Sequence, residues 1–160
     1  MSTANDLLAG LKAIPIVLGV VVDWVLTTLL SVSLTRARLD PSVLALEGAE
    51  FNAAFNASVE NLFRDPGYLV GSLLCGLLAT VIGAFIGARN AGTLPLKHGL
   101  AVAVASGLSV IVSNLVSGQD TGIAVPVWFN LIGWLLLLPA GVLGGYLAMP
   151  RVNADGSSGR

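Results

Sequence analysis

The amino-acid sequence predicts an all-α membrane protein: a four-transmembrane-helix bundle with an amphipathic helix in its first, outer connection. Hydrophobic residues make up 55% of the 160 residues and charged residues only 11%, far from the composition of soluble domains. Four apolar segments each approach the roughly 20 residues that a helix needs to cross a bilayer. These observations together indicate one transmembrane domain over residues 1–152.

The four predicted spans are separated by polar or Gly/Pro-containing stretches. They cover about 13–34, 68–88, 99–116 and 126–149. Pro126 suits a helix start, because N–H groups in the first turn have no acceptor within the helix and proline loses no hydrogen bond there. Pro139 lies in the interior of the fourth span and predicts a kink. Residues 153–160 are polar and rich in glycine and serine, so we expect a disordered tail.

The first connection contains an amphipathic segment over about 41–64. Asp40-Pro41 is typical of a helix start, with a side-chain acceptor followed by proline at the first helical position. Apolar residues then recur at spacings of four, four and three, which is the pattern of a helix stripe: Phe51, Phe55, Val59 and Leu62. The stripe can cap the bundle or lie at the membrane interface, dock a partner protein, or gate a pathway, and the sequence leaves all three open.

The distribution of Lys and Arg predicts that both termini lie in the cytoplasm. One side of the predicted bundle carries Lys12, Arg89, Lys97 and Arg151, and the other carries Arg36, Arg38 and Arg64. We expect Arg89, Lys97 and Arg151 to act as interfacial anchors, since long basic side chains reach from helix ends toward lipid headgroups.

Small residues at helical spacing predict the faces on which the spans pack. Helices in lipid associate through close backbone contact, which Gly, Ala and Ser permit. The predicted packing residues are Gly71, Ala79, Gly83 and Gly87 in the second span and Gly141, Gly144 and Gly145 in the fourth. Asp23 lies on a similar edge of the first span, with Gly19 and Thr27, so we expect it to face other helices rather than lipid.

Asp23 is the most informative residue in the chain, because a carboxylate near the bilayer midplane costs at least a few kcal/mol. No Lys or Arg lies in the interior of the other spans, so we expect a neutral carboxyl that bonds to hydroxyls or amides. The candidate partners are Thr80, Ser106, Ser109 and Asn114. Three roles remain open: a protonated residue that holds the bundle together, a contact to another subunit, or a proton or cation step in transport.

Several functional classes are disfavoured. A net charge of −1 without any run of Lys or Arg argues against nucleic-acid binding. The sequence contains no Ser/His/Asp set, metal-ligand cluster or phosphate loop, so we expect no enzyme, no cofactor and no metal. We predict a structural or accessory component that acts through helix packing, in a homo-oligomer or a larger membrane complex. The alternative is a small proton- or cation-coupled transporter or channel component that uses Asp23.

One block of sequence also carries a family resemblance. Residues 83–92 read Gly-Ala-Phe-Ile-Gly-Ala-Arg-Asn-Ala-Gly, and Lys97-His98-Gly99-Leu100 follow. This block resembles small uncharacterised bacterial four-span membrane proteins in which a Gly-rich second helix ends in an Ala-Arg-x-Ala-Gly turn before His-Gly. The resemblance implies a bacterial inner-membrane protein and a four-helix bundle, and it implies no activity.

Overall fold

Six α-helices make up the part of the chain that the computed structural model describes, residues 9–117 and 125–150. We number them α1 (Ala13–Arg38), α2 (Pro41–Leu44), α3 (Gly48–Leu62), α4 (Pro66–Ala91), α5 (Pro95–Ser117) and α6 (Val127–Leu147). Helices α1, α4, α5 and α6 are each long and apolar enough to cross a membrane. The predicted four-helix transmembrane fold is confirmed, and the chain is a multi-pass membrane protein.

The first two spanning helices are longer than their apolar segments. Helices α1 and α4 each have 26 residues, which corresponds to a length of about 39 Å, whereas the hydrocarbon core is about 30 Å thick. Helix α1 therefore continues beyond the predicted limit at residue 34 and ends with Arg36 and Arg38 in its last turn. Cations are favourable there, because the carbonyl end of a helix carries partial negative charge.

The fourth spanning helix begins and ends slightly inside its predicted limits. Pro126 is the N-cap of α6 rather than its first helical residue, and α6 ends at Leu147. The helix stays α-helical on both sides of Pro139. The tail at residues 153–160 lies outside the described residues.

Helices α4 and α5 form the centre of the bundle, because each of them packs against the other three spanning helices. Helices α1 and α6 therefore occupy opposite corners of the bundle.

The first connection forms two helices where the sequence predicted one amphipathic segment. Asp40 accepts a hydrogen bond of 2.8 Å from the Ser42 N–H at the start of α2, and this bond holds the pKa of Asp40 below its usual range. Helix α2 ends after one turn, and α3 begins at Gly48, whose φ of 59° suits a residue without a side chain. The predicted apolar stripe lies on α3, where the rings of Phe51 and Phe55 stack 5.5 Å apart.

Candidate functional site

Asp23 lies in the middle of the bundle. It is the eleventh residue of α1, so it is about 15 Å along the helix from Ala13. The residue is only 4% exposed, and its side-chain contacts lie on its own helix and on α4 and α5. The carboxyl group therefore points into the bundle and away from lipid.

Two threonine hydroxyls donate hydrogen bonds to the same carboxyl oxygen of Asp23. Thr27 on α1 lies 3.4 Å from Oδ1, and Thr80 on α4 lies 3.2 Å from it. Thr80 Oγ1 also lies 3.1 Å from the carbonyl oxygen of Gly76, so its single proton is shared between two acceptors. Among the described residues, none donates a hydrogen bond to Oδ2.

Ser106 provides a third hydroxyl at this point, from α5. Its hydroxyl lies close enough to act on the Asp23 carboxyl, but Ser106 Oγ forms no hydrogen bond with a described residue. Ser106 is 4% exposed. A buried hydroxyl without a hydrogen-bond partner is energetically costly. The Ser106 hydroxyl can therefore bond to a ligand, or to Asp23 after a small movement of the side chain.

The other two predicted partners of Asp23 behave differently. Ser109 accepts a hydrogen bond of 3.2 Å from Trp24 Nε1 and donates one of 2.7 Å to the Ser106 carbonyl. Its hydroxyl therefore joins α1 to α5 without bonding to Asp23. Asn114 lies on α5, but its side chain is outside the described part of the structure.

Asp23 lies at one end of a cavity of about 470 Å³ that all four spanning helices line. Its polar lining consists of Asp23, Thr27, Thr28, Ser31, Ser72, Thr80, Ser106, Ser113 and Asn130. The remaining wall contains three aromatic residues, Trp24, Phe129 and Trp134, together with aliphatic residues and glycines. Asp23 is the only titratable residue among these described lining residues. The cavity thus combines one carboxyl, several hydroxyls and aromatic surface.

The cavity divides the bundle into two halves. We call residues 23–38, 66–80, 106–117 and 127–137 of the spanning helices the open half, because these segments contain the lining. We call residues 13–22, 81–91, 95–105 and 138–147 the closed half.

Glycines bring α1 and α4 into direct backbone contact in the closed half. A Cβ atom placed on Gly83 would lie 2.6 Å from the carbonyl oxygen of Gly19, and one on Gly87 would lie 2.8 Å from that of Pro15. Real Cβ atoms do not approach other atoms so closely, so only glycine fits at these two positions. The other two predicted packing residues of this helix lie in the open half: Ala79 is fully buried, and Gly71 lies near Leu34.

A second glycine contact joins α6 to α4 and α5. A Cβ atom on Gly145 would lie 2.6 Å from the carbonyl oxygen of Pro95, and one on Gly141 would lie 2.8 Å from that of Gly99. A Cβ atom on Gly144 would clash with the carbonyl oxygen of Val81 on α4. The predicted packing glycines of the fourth span thus contact two different helices of the same chain.

His98 fastens the end of the closed half. It is fully buried, and its Nε2 accepts a hydrogen bond of 3.0 Å from the backbone N–H of Lys12. Its Nδ1 lies 3.1 Å from the Leu94 carbonyl oxygen and donates to it, because a carbonyl can only accept. Lys12 Nζ donates to the Ala91 carbonyl oxygen at 2.8 Å. This cluster holds the start of α1 against the turn between α4 and α5.

The two predicted interfacial anchors that the structure describes, Arg89 and Lys97, lie near helix ends. Arg89 lies in the last turn of α4, with its guanidinium carbon 5.7 Å from the centre of the Phe85 ring. Lys97 lies in the first turn of α5. Arg151 follows α6 and is outside the described residues.

Sequence reasoning missed several residues of the cavity and of the His98 cluster. Ser72, Asn130 and Trp134 line the cavity, yet hydroxyls, amides and indoles on long apolar helices give no sign in sequence of whether they face lipid or a void. Sequence reasoning assigned no role to His98, whose ring bonds to backbone atoms, because no side-chain motif reveals such bonds. The signal that was available for the cavity was Asp23 itself.

Comparison of the chain with protein-family models, with curated proteins and with solved structures gives no match. The resemblance of residues 83–100 to small bacterial four-span proteins therefore stays a prediction.

Proposed function

We propose that this protein binds a proton or a cation at Asp23 and serves as a small transporter or channel component of the membrane. The observation that carries the proposal is the position of Asp23 at one end of a polar cavity inside a four-helix bundle. A carboxyl group inside a membrane is costly and typically marks an ion or substrate pathway. The role proposed here is binding and passage, and no catalytic step is assigned.

The asymmetry of the bundle supports a pathway with access from one side. The lining residues lie in the open half, whereas glycine contacts between backbones fill the closed half. With both termini in the cytoplasm, as the basic residues predict, the open half faces the external side. Asp23 then forms the inner end of a half-channel, and passage to the cytoplasm requires the closed half to separate. A bacterial inner membrane is the setting that we propose for it.

The test is proton or cation movement in liposomes that contain the purified chain and an internal pH-sensitive dye. A cation gradient should change the internal pH faster than in protein-free liposomes, and Asp23→Asn should return the rate to that background. The amide keeps the shape of the residue and can still accept from Thr80, but it cannot take up a proton or carry charge.

The matched control is Asp65→Asn, which changes a carboxylate outside the cavity. Asp65 caps α4 by accepting from the Gly67 N–H and lies 3.5 Å from Arg38, and asparagine caps helices about as well. This variant should retain the wild-type rate. An Asp23→Asn protein that folds and keeps the wild-type rate would overturn the proposal.

A structural or accessory role, in a homo-oligomer or a larger complex, is the second proposal. The rigid backbone contacts of the closed half support it, since they suit a scaffold. The predicted packing glycines already contact neighbours in the same chain, so a partner would have to use the outer, apolar side chains instead. Extraction in mild detergent followed by mass spectrometry tests this role. A stoichiometric partner supports it, and recovery of the single chain alone contradicts it.

A further inference from the structure

We infer that the cavity binds a compact organic ammonium ion, one that carries an aromatic or short alkyl group beside its positive charge. This inference rests on the proposed cation-binding function and specifies its ligand. The observations that carry it are the size of the cavity, the aromatic residues in its wall, and the unsatisfied polar atoms beside Asp23.

The size of the cavity favours an organic ligand over a proton or a bare metal ion. Its volume of about 470 Å³ falls within the range of about 300–1,000 Å³ that is typical of small-molecule sites. A metal ion would occupy a small part of this space and would need several close ligands. The described residues contain no group of three His, Cys, Asp or Glu that could hold one.

The aromatic wall suits a cation with an apolar part. Trp24, Phe129 and Trp134 line the cavity, and the face of an aromatic ring attracts an ammonium ion, most strongly when water is excluded. Trp24 is held in place by its hydrogen bond to Ser109. The ring of Trp134 lies against Gly107, where an added Cβ would come within 2.8 Å of it. Trp24 thus has a hydrogen-bond partner on α5, and Trp134 packs against the same helix.

The polar end of the cavity supplies a single carboxyl group with free hydrogen-bonding capacity, and this group becomes negative when its proton leaves to water as the cation enters. Both hydrogen bonds to Asp23 end on Oδ1, so Oδ2 can receive an ammonium N–H or lie against a quaternary ammonium group. Ser106 Oγ is buried beside it without a partner and can accept a further N–H. One carboxylate matches one positive charge, so a monovalent cation is the class expected.

The test is isothermal titration calorimetry on the full chain in nanodiscs of zwitterionic lipid. The probes are benzyltrimethylammonium, whose charge is permanent, together with Na⁺ and the neutral 2-phenylethanol. We expect saturable binding of benzyltrimethylammonium, with binding of 2-phenylethanol weaker by at least about tenfold, since a buried ion pair is lost.

Three variants test separately how the charge of Asp23, the aromatic wall and the free space of the cavity contribute to binding. Asp23→Asn should weaken binding of benzyltrimethylammonium at least about tenfold, and Trp134→Leu about three- to tenfold. Gly76→Leu should abolish it, because Gly76 lines the cavity and a Cβ added there meets nothing within 4 Å, so the leucine side chain should occupy the ligand's space. The matched control is Tyr146→Leu, which removes an exposed aromatic ring from the closed half of the same helix, outside the lining, and should leave binding unchanged.

The outcomes distinguish this inference from the proposed function. Asp23-dependent binding of Na⁺ or protons without binding of benzyltrimethylammonium would overturn the organic ligand and leave the function standing. The absence of Asp23-dependent binding of any cation would overturn both. Equal affinity for 2-phenylethanol, or unchanged affinity in Gly76→Leu, would also overturn the inference. If Asp23→Asn fails to fold, the Gly76 and Trp134 variants still test whether benzyltrimethylammonium binds in the cavity.

Discussion

The two halves of the bundle use small residues in opposite ways. Gly83 and Gly76 lie on α4 seven residues apart, about two helical turns, so they share one face of the helix. Gly83 in the closed half meets the backbone of α1, whereas nothing lies within 4 Å of a Cβ added to Gly76 in the open half. A glycine in a membrane helix therefore either allows contact or leaves a void, and the opposing helix decides which.

The largest expected effect comes from filling these two positions with the same side chain. Gly83→Leu should destabilise the protein by about 3 kcal/mol or more, because its Cβ would collide with backbone atoms of α1 that cannot move aside. Gly76→Leu should change stability by less than about 1 kcal/mol, because space is already present and leucine favours the helix. Thermal unfolding in detergent measures both. A similar loss of stability in the two variants would show that the two halves do not differ in how tightly α4 packs.

An intermediate effect is expected at the end of the closed half. His98→Ala should cost about 2–3 kcal/mol, because it leaves a buried void and removes the partner of the Lys12 N–H. Thermal unfolding of this variant is compared with that of Asn90→Ala, a nearby exposed residue that bonds only within its own helix. The control should stay within about 0.5 kcal/mol of wild type. An equally small loss for His98→Ala would show that the closed half does not depend on this cluster.

The smallest expected effect concerns the hydroxyls of the open half. Thr80→Val should cost about 1 kcal/mol, because Asp23 loses a buried donor from another helix. Thr28→Val should be nearly neutral, because Thr28 bonds only to the Trp24 carbonyl of its own helix and is exposed. Chemical denaturation in mixed micelles resolves such a difference. A loss at Thr28 as large as that at Thr80 would argue that the bond to Asp23 adds no stability.

The sequence predicted the four spanning helices well, because apolar length is a local property. It predicted their ends less well: α1 continues to Arg38 even though the apolar run stops earlier. The first connection does contain a helix that carries the predicted stripe, but this helix begins at Gly48 rather than at residue 41. The positive φ of Gly48 separates α2 from α3, and composition alone does not reveal such a turn.

The sequence predicted the candidate site only through a residue whose presence inside a membrane is energetically costly. Asp23 is such a residue. Thr80 could then be predicted as its partner, because few hydroxyl residues of the other spans lie at a similar depth in the membrane. Ser109 was placed beside Asp23 on the same reasoning, but its hydroxyl bonds to its own helix and to Trp24. The rotation of α5 about its axis decides between these outcomes, and it is set by contacts with three neighbouring helices. No local pattern carries that information.

The bond between Thr80 and Asp23 also constrains how the protein is made. The two residues are 57 positions apart, so at about 5–20 residues per second Thr80 is synthesised several seconds after Asp23. During that interval the first helix carries a carboxyl whose only partner of this kind is Thr27, one turn away. A single helix with a carboxyl group near its middle is energetically unfavourable in lipid when no other helix packs against it. Helix α1 should therefore stay at the insertion machinery until α4 arrives, and the two should enter the bilayer as a hairpin.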